Sequence, residues 1–319
     1  MRLGYFGLPL GALLLAADGH TLELAVLSPV EAPGRRRLGR LLGPRRVLDA
    51  ARLPGDAVLL QAAELLERAA PELIVSWFWT RRLPARLLAL AGGGGVGVHP
   101  SLLPRHRGPD PFYWAIDSGD ELSGVTVHRL TEEYDAGAML VQRSLRIGDR
   151  NAWQLARALD RPSLEALRDV VGRLGRGEAI PEQQQEPALV TAAPIPSGAA
   201  LRLRYDWTVE RALRRVRALC PVPGLALSVR GLDLFATHLR AADAHPAGLR
   251  PGEAAVRAGP DPRLMLQLSD GCLAVERAIL ATDDTELTGA ELAARLGSES
   301  TSLHPLGRSD IDSEPTGGT

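Results

Sequence analysis

His99 is the residue in this sequence whose type and position best suit chemistry. The apolar run Val96–His99 is followed by a loop containing Pro100 and Pro104, which predicts a β-strand that ends at His99. In open α/β sheets, ligands bind in the crevice beyond the carboxyl ends of the strands. An imidazole there can exchange a proton near neutral pH, whereas a lone histidine inside a strand more often has a structural role. The surrounding motifs must decide between these two interpretations of His99.

Other residue types that could carry chemistry form no recognisable site. Cys220 and Cys272 lack metal-ligand spacing, and two cysteines in 319 residues favour a reducing cytoplasm over a secreted disulfide scaffold. No cluster of His, Cys or carboxylate residues has the spacing of metal ligands. Gly4, Gly7 and Gly11 follow the first apolar run without the spacing of a dinucleotide-binding loop. We therefore predict a cytoplasmic protein with no metal and no nicotinamide or flavin cofactor.

The elements that must position His99 alternate between short apolar runs and helical patterns. Such alternation is typical of a parallel sheet covered by helices and predicts an open α/β fold. An amphipathic helix at Arg161–Leu174 is expected to close this domain. The predicted strands are Leu3–Phe6, Leu22–Leu27, Leu73–Phe78, Val96–His99, Val125–Leu130 and Met139–Leu145.

A second domain is predicted after a connecting segment rich in Glu, Gln, Pro and Ala. Thr208 is a plausible N-cap of its first helix, which Pro221 ends. Short alternating runs then predict a small β-barrel or sandwich, with strands at Leu225–Val229, Leu234–Thr237, Leu264–Leu268 and Leu273–Val275. The expected division is 1–180 for the first domain, 181–202 for the linker, 203–303 for the β-barrel and 304–319 for a disordered tail.

The overall composition limits the classes of partner. The 37 basic residues, all Arg, nearly balance the 38 acidic residues, so the formal net charge is -1. This balance argues against a protein that coats nucleic acid non-specifically, although it leaves room for a local basic patch. No apolar stretch approaches the roughly 20 residues that span a bilayer, so we expect no membrane partner.

Several short motifs, in a fixed order along nearly the whole chain, resemble one family. They are Tyr5-Phe-Gly-Leu-Pro9, His99-Pro-Ser-Leu-Leu-Pro-Arg-His-Arg-Gly108, Trp114-Ala-Ile116, Gly119-Asp120, Gly124-Val-Thr126, Asp135-Ala-Gly137, Tyr205-Asp-Trp-Thr208 and Pro221-Val-Pro-Gly224. Together they resemble the folate-dependent formyltransferases, and within that group the methionyl-tRNA formyltransferases. The resemblance implies a Rossmann-like formyltransferase domain followed by a small OB-like β-barrel.

The resemblance also implies the reacting residues. The family has an Asn, a His two residues later and an Asp downstream; by motif His99 and Asp135 are the second and third, and Gly97 stands at the Asn position. Attack of an amine on a formyl carbon creates an oxyanion that needs a donor, and a base must take the amine proton. We expect Asp135 to orient His99 and raise its pKa. Losing one such donor costs a hydrolase about 10²- to 10³-fold in rate, so at Gly97 either a water or another side chain substitutes, or the enzyme is slow or has changed function.

Two binding surfaces follow from the same resemblance. The folate-contacting residues would be Ser101, Leu102, Leu103 and Pro104, with Leu83 and Pro84 at another edge of the pocket. The segment Leu27–Arg46 is predicted to be a loop, and its basic residues would contact the acceptor end of tRNA, although such a charge run is usually a solvated face. The tRNA-contacting candidates are Arg35, Arg36, Arg37 and Arg40.

The leading hypothesis is an enzyme that moves a formyl group from 10-formyltetrahydrofolate to the amino group of initiator methionyl-tRNA. The rival hypothesis is an N-formyltransferase that acts on an amino sugar or another small amine. It is suggested by Pro109-Asp-Pro-Phe-Tyr-Trp114, which replaces an Ala-rich stretch of the tRNA enzymes. The presence of a C-terminal domain argues against it. A third hypothesis is a catalytically weak folate- or RNA-binding homologue, suggested by Gly97. Retention of His99 and Asp135 weighs against this last interpretation.

Overall fold

The computed structural model describes residues 1–53, 56–242, 248–257 and 259–297. These form two compact units that are discontinuous in sequence. The first unit comprises Met1–Pro111, Glu121–Arg146 and Ala156–Pro194; the second comprises Phe112–Asp120, Ile147–Leu155 and the described residues from Ile195 onward. The linear domain boundaries expected from the sequence stay predictions. The expected tail, 304–319, lies outside the described residues.

The first unit is built on a seven-stranded sheet. Its strands are β1 (Arg2–Gly7), β2 (Thr21–Leu27), β3 (Val47–Asp49), β4 (Leu73–Trp77), β5 (Gly95–His99), β6 (Leu122–Arg129) and β7 (Met139–Arg146). The spatial order is β3-β2-β1-β4-β5-β6-β7. The pairings from β3 to β5 are parallel, whereas β6 pairs antiparallel with both β5 and β7. The expected open, Rossmann-like sheet is confirmed.

Helices connect these strands and close the first half of the chain. They are α1 (Pro9–Ala17), α2 (Arg35–Leu42), α3 (Ala57–Ala69), α4 (Ala85–Leu88), α5 (Pro111–Asp117) and α6 (Ala152–Gly175). Helix α6 begins nine residues before the predicted start at Arg161. Asn151 and Gln154 exchange hydrogen bonds, each donating its backbone N–H to the other's side-chain oxygen at 3.0 and 2.8 Å. This capping box starts the helix upstream of Pro162, where the sequence pattern had suggested the first turn.

The prediction of a loop over Leu27–Arg46 is wrong in part. Helix α2 occupies its centre, followed by a 3-10 turn at Pro44–Arg46. Leu38 and Leu42, four residues apart, are buried on one face of α2. Because arginines surround these two leucines in the sequence, the apolar stripe was too short to be recognised there.

Strands β1 and β4 approach each other closely where the crevice of the sheet begins. Gly7 has a φ of +143°, and a Cβ atom there would lie 1.8 Å from the carbonyl oxygen of Trp77. Only glycine fits this position, because any side chain would collide with backbone. The chain can therefore turn directly from β1 into α1 at the edge of the sheet where β5 also ends.

The second unit combines helices with an antiparallel sheet. Helix α7 (Val209–Leu219) begins at Thr208, whose hydroxyl accepts a hydrogen bond from the backbone of Arg211, as predicted for an N-cap. The strands are β8 (Leu225–Val229), β9 (Leu232–Ala241), β10 (Ala254–Arg257), β11 (Arg263–Gln267), β12 (Cys272–Leu280) and β13 (Glu286–Thr288), followed by α8 (Gly289–Leu296). Their order is β10-β11-β12-β9-β8, with β13 paired to β12. The expected small antiparallel β structure in the C-terminal part is confirmed.

No helix in the described part of the chain combines the length and the apolar character needed to cross a membrane.

Candidate active site

The pairing of β5 with β6 brings four positions to one face of the sheet. Gly97 and His99 are two residues apart on β5, so their side-chain positions lie on the same side. In the antiparallel register, His128 lies opposite Gly97 and Thr126 lies opposite His99. Directly opposite residues of an antiparallel pair share a face. The imidazole of His128 therefore stands across from the position where the resembled family carries its Asn.

Asp135 lies between the two imidazoles. Its Oδ2 is 3.4 Å from Nδ1 of His99, and its Oδ1 is 3.8 Å from Nε2 of His128. The backbone N–H of Gly108 donates to Oδ2 at 2.9 Å, and Asp135 itself has a φ of +53°, which aspartate tolerates better than most residues. The side-chain amide of Gln185 donates to the Asp135 carbonyl at 2.7 Å. The carboxylate and the backbone carbonyl of Asp135 are thus each held by a hydrogen bond.

The hydrogen bond of His99 fixes the location of its proton. Nε2 lies 2.7 Å from the carbonyl oxygen of His106, which can only accept, so Nε2 carries the hydrogen. Burial lowers the pKa of His99, and the charge of Asp135 opposes this effect only in part. The expectation that Asp135 raises the pKa of His99 holds for the contribution of its charge, whereas burial, which the sequence did not reveal, has the larger effect. A second proton on the ring would occupy Nδ1 and face Asp135.

His128 is a second buried imidazole that no motif in the sequence indicated. Its Nδ1 lies 2.9 Å from the carbonyl oxygen of Arg129, so Nδ1 donates and the neutral ring has its lone pair on Nε2. Burial lowers the pKa of His128 to about 4, although the charge of Asp135 acts in the opposite direction. The neutral ring therefore presents an acceptor nitrogen toward Asp135 and Gly97.

Gly97 leaves no polar side chain at the position of the family Asn. Its backbone lies outside the left-handed region, so its conformation does not require glycine. A Cβ atom built there would lie 2.7 Å from a terminal methyl of Leu130 and 3.7 Å from Nε2 of His128. Leu130 and His128 thus surround the position that an Asn side chain would occupy.

The expected folate loop is held to β6 and β7 by its own hydrogen bonds. Thr126 donates its hydroxyl to the Ser101 carbonyl at 2.7 Å and accepts from the Leu103 N–H at 3.1 Å. Gln142 donates its amide to the Leu103 carbonyl at 2.8 Å. Ser101 and Leu103 are buried, whereas Leu102 and Pro104 are half-buried. The loop is therefore ordered without a ligand and offers mainly the apolar surfaces of Leu102 and Pro104.

The other predicted folate contacts, Leu83 and Pro84, lie at the beginning of α4. Leu83 is 5% exposed and belongs to the same apolar core as Leu87 and Leu88. Pro84 is half-buried and precedes the first residue of the helix. Packing in the core explains Leu83 without a ligand, and the role of both residues in folate binding stays a prediction.

The four arginines predicted to contact tRNA separate into two groups. Arg35 is half-buried, pairs with Asp49 at 2.5 Å, and donates to the carbonyl oxygens of Ser28 and Val30. Arg36, Arg37 and Arg40 are exposed on the side of α2 away from its buried leucines. Only these three present their charge to solvent, whereas Arg35 stabilises the segment that carries them.

The backbone of His106 also contributes to the site, and the type of a residue cannot reveal such a contribution. The carbonyl of His106 holds His99, and the backbone N–H of His106 donates to the hydroxyl of Thr191 at 2.8 Å. The one available signal for His128 was its place at the end of an alternating strand pattern, Val-Thr-Val-His. Within the described ranges, no group of three or more His, Cys, Asp or Glu residues is arranged to hold a metal ion.

Comparison with known proteins relates this chain to formyl transferases. The family model described as formyl transferase matches residues 24–170. The chain is 36% identical over 273 residues to the methionyl-tRNA formyltransferase of Anaeromyxobacter dehalogenans (strain 2CP-C), covering 81% of this chain and 86% of that one. It is 35% identical over 256 residues to the enzyme of the same name from Bordetella avium (strain 197N), covering 73% of this chain and 79% of that one.

Solved structures share the fold at lower identity. HypX from Aquifex aeolicus, crystallised with tetrahydrofolic acid, aligns with a TM-score of 0.62 and 18% identity over 95% of this chain and 50% of that one. The chain thus spans about half the length of HypX. WlaRD, a sugar 3N-formyl transferase, aligns with a TM-score of 0.62 and 10% identity over 89% of this chain and 98% of that one.

Proposed function

The chain belongs to the formyl transferase family, and we propose that it transfers the formyl group of 10-formyltetrahydrofolate to the amino group of methionyl-tRNA in the cytoplasm. The observation that carries the choice of acceptor is the extent of the 36% identity with a methionyl-tRNA formyltransferase. An alignment that covers 81% of this chain must continue well beyond residue 170, where the family-model match ends. The similarity therefore includes much of the C-terminal part as well as the reacting groups.

The reaction divides among the residues at the end of β5. The amine nitrogen attacks the formyl carbon, and the carbonyl electrons move to oxygen. His99 carries its hydrogen on Nε2, and this N–H, which donates to the His106 carbonyl, is the donor that the oxyanion would take over. Asp135 orients the ring from the Nδ1 side and compensates positive charge that develops there.

The ordered loop at residues 101–104 supports folate as the donor. Because its backbone is already bonded to Thr126 and Gln142, binding requires little ordering of this segment. Leu102 and Pro104 offer the apolar surface that would contact the pterin ring. The exposed arginines of α2 would contact phosphates of the tRNA.

The test is formyl transfer by purified protein from 10-formyltetrahydrofolate to separate acceptors. The panel contains methionyl-tRNA, other charged tRNAs and nucleotide-linked amino sugars. We expect formyl-methionyl-tRNA as the main product, with His99→Ala as the inactive control. Formylation of a sugar amine, with none on methionyl-tRNA, would contradict the proposed acceptor while leaving formyl transfer intact.

One observation favours the small-amine alternative. The segment Pro109-Asp-Pro-Phe-Tyr-Trp114 departs from the Ala-rich stretch of the tRNA enzymes, and it leads into α5 directly after the loop that holds His99. The fold shared with WlaRD is compatible with such an acceptor, but its 10% identity indicates the fold alone. The acceptor panel separates this alternative from the leading proposal.

A further inference from the structure

This inference rests on formyl transfer as the proposed function. We propose that His128 is a second catalytic histidine: its Nε2 takes the proton of the attacking amine and, once protonated, donates to the oxyanion in place of the amide that Gly97 lacks.

The position of His128 is the first argument. The register places it directly across from Gly97, on the face that also carries His99. Its Nε2 lies 3.7 Å from where a Cβ of residue 97 would be. A polar nitrogen from the neighbouring strand therefore reaches the region that the family Asn serves from β5.

The second argument is the orientation of the ring. The Nδ1–H bond to the Arg129 carbonyl fixes the tautomer, so the nitrogen free to accept a proton is the one that faces the site. Asp135 Oδ1 lies 3.8 Å from that nitrogen and would stabilise the imidazolium by its negative charge. The same carboxylate thus serves both His99 and His128.

The third argument is the residue at position 97. The Leu130 methyl lies 2.7 Å from a Cβ built there, and the amide of an Asn would extend further into the volume between Leu130 and His128. Glycine places no side-chain atom between the backbone of residue 97 and Nε2 of His128. In this chain, Gly97 and His128 form one arrangement in which an imidazole replaces an amide.

The proton balance closes without another reactant. The new C–N bond forms as the carbonyl electrons move to oxygen, and the amine proton passes to His128 Nε2. When the bond from carbon to N10 of the folate breaks, the oxygen electrons re-form the carbonyl. N10 takes the released electron pair and the proton from His128. Burial, which lowers the pKa of His128 to about 4, keeps the ring neutral before the reaction and makes it return the proton readily.

The test compares His128→Ala and His128→Gln with the wild type in kcat for the amine acceptor that the wild type formylates. We expect kcat to fall by about 10²-fold or more in both variants, because glutamine keeps much of the size but cannot take a proton. Folate affinity should remain within about threefold. His238→Gln, an exposed histidine on β9, is the matched control and should keep wild-type turnover.

A second substitution separates catalysis from structure. Gly97→Asn should lower the wild-type rate, because its amide would enter the volume between Leu130 and His128, but it should raise kcat at least about tenfold in the His128→Ala background, where it restores a donor. A His128→Gln protein that binds folate and keeps a wild-type kcat would overturn the proposal. If the wild type formylates only another amine, the proposed acceptor fails and His128 is tested on that amine. A wild type that formylates no acceptor would overturn both.

Discussion

At the scale of single residues, the site depends on burial competing with charge. Asp135 faces two imidazoles, yet both have lowered pKa values because both rings are almost completely buried. Both histidines are consequently neutral in the resting protein at neutral pH. A resting site without imidazolium can accept a proton from an amine, and Asp135 then stabilises the charge that forms.

His99→Ala and Asp135→Asn should each lower kcat by about 10²-fold or more while the protein keeps its fold. His99→Ala loses the Nε2–H donor, and Asp135→Asn loses the charge that raises the pKa of His99.

The dependence of activity on pH has a definite sign. His128 can accept the amine proton only while it is neutral, so activity falls as the pH drops below its lowered pKa, and Asp135→Asn, which removes a charge that raises this pKa, moves that acid limb to still lower pH. Steady-state pH profiles, with thermal unfolding as the control, check both effects; normal turnover in either variant would remove the mechanism.

At the scale of elements, the second unit contains a buried ion pair that joins two helices. Asp117 at the end of α5 is 2% exposed and accepts from Arg215 of α7 at 2.6 and 2.9 Å. Arg211 donates to the same carboxylate at 3.0 Å, and the Arg215 guanidinium lies over the rings of Trp207 and Tyr113. Removing the carboxylate would leave a buried guanidinium without its counter-charge.

Asp117→Asn should therefore lower the free energy of unfolding by about 3 kcal/mol or more. Asp206→Asn is the matched control, because its ion pair with Arg204 is exposed on both sides and contributes at most about 1 kcal/mol. Urea unfolding of the two variants measures the difference. Equal losses would mean that the burial of the Asp117 pair contributes nothing.

The same scale shows what the sequence could and could not predict. The strand ending at His99, the N-cap at Thr208 and strand β8 follow from local apolar patterns and capping chemistry. Strand β3 has three residues, too few for a periodic signal, and α2 has only two buried leucines among its arginines. The sequence alone could not connect His128 with Gly97. The two residues lie 31 positions apart and are brought together only by the register between β5 and β6. Features that depend on neighbouring residues in the sequence were predictable, whereas contacts made by the pairing of distant strands were not.

At the scale of the whole molecule, the charge balance determines how tRNA can be recognised. With a formal net charge of -1, the protein as a whole offers no attraction for a polyanion. Binding must therefore come from a local surface, and α2 carries exposed Arg36, Arg37 and Arg40 together. Such a surface should give a salt dependence set by a few contacts rather than by total charge.

The triple variant Arg36→Ala, Arg37→Ala, Arg40→Ala should weaken tRNA binding and flatten its dependence on salt. Each lost contact to a single-stranded phosphate reduces the slope of log K against log salt by about 0.7, so three contacts predict a change of about 2.

Arg35→Ala is the contrasting variant. The Arg35 guanidinium already binds Asp49, Ser28 and Val30, so this substitution should reduce thermal stability and leave the slope unchanged. Folate binding should be the same in both proteins, because neither change touches the loop beside His99. Titrations of labelled tRNA at several salt concentrations measure the slopes. If the triple variant keeps the wild-type slope, α2 is an ordinary solvated face and the tRNA must be held elsewhere.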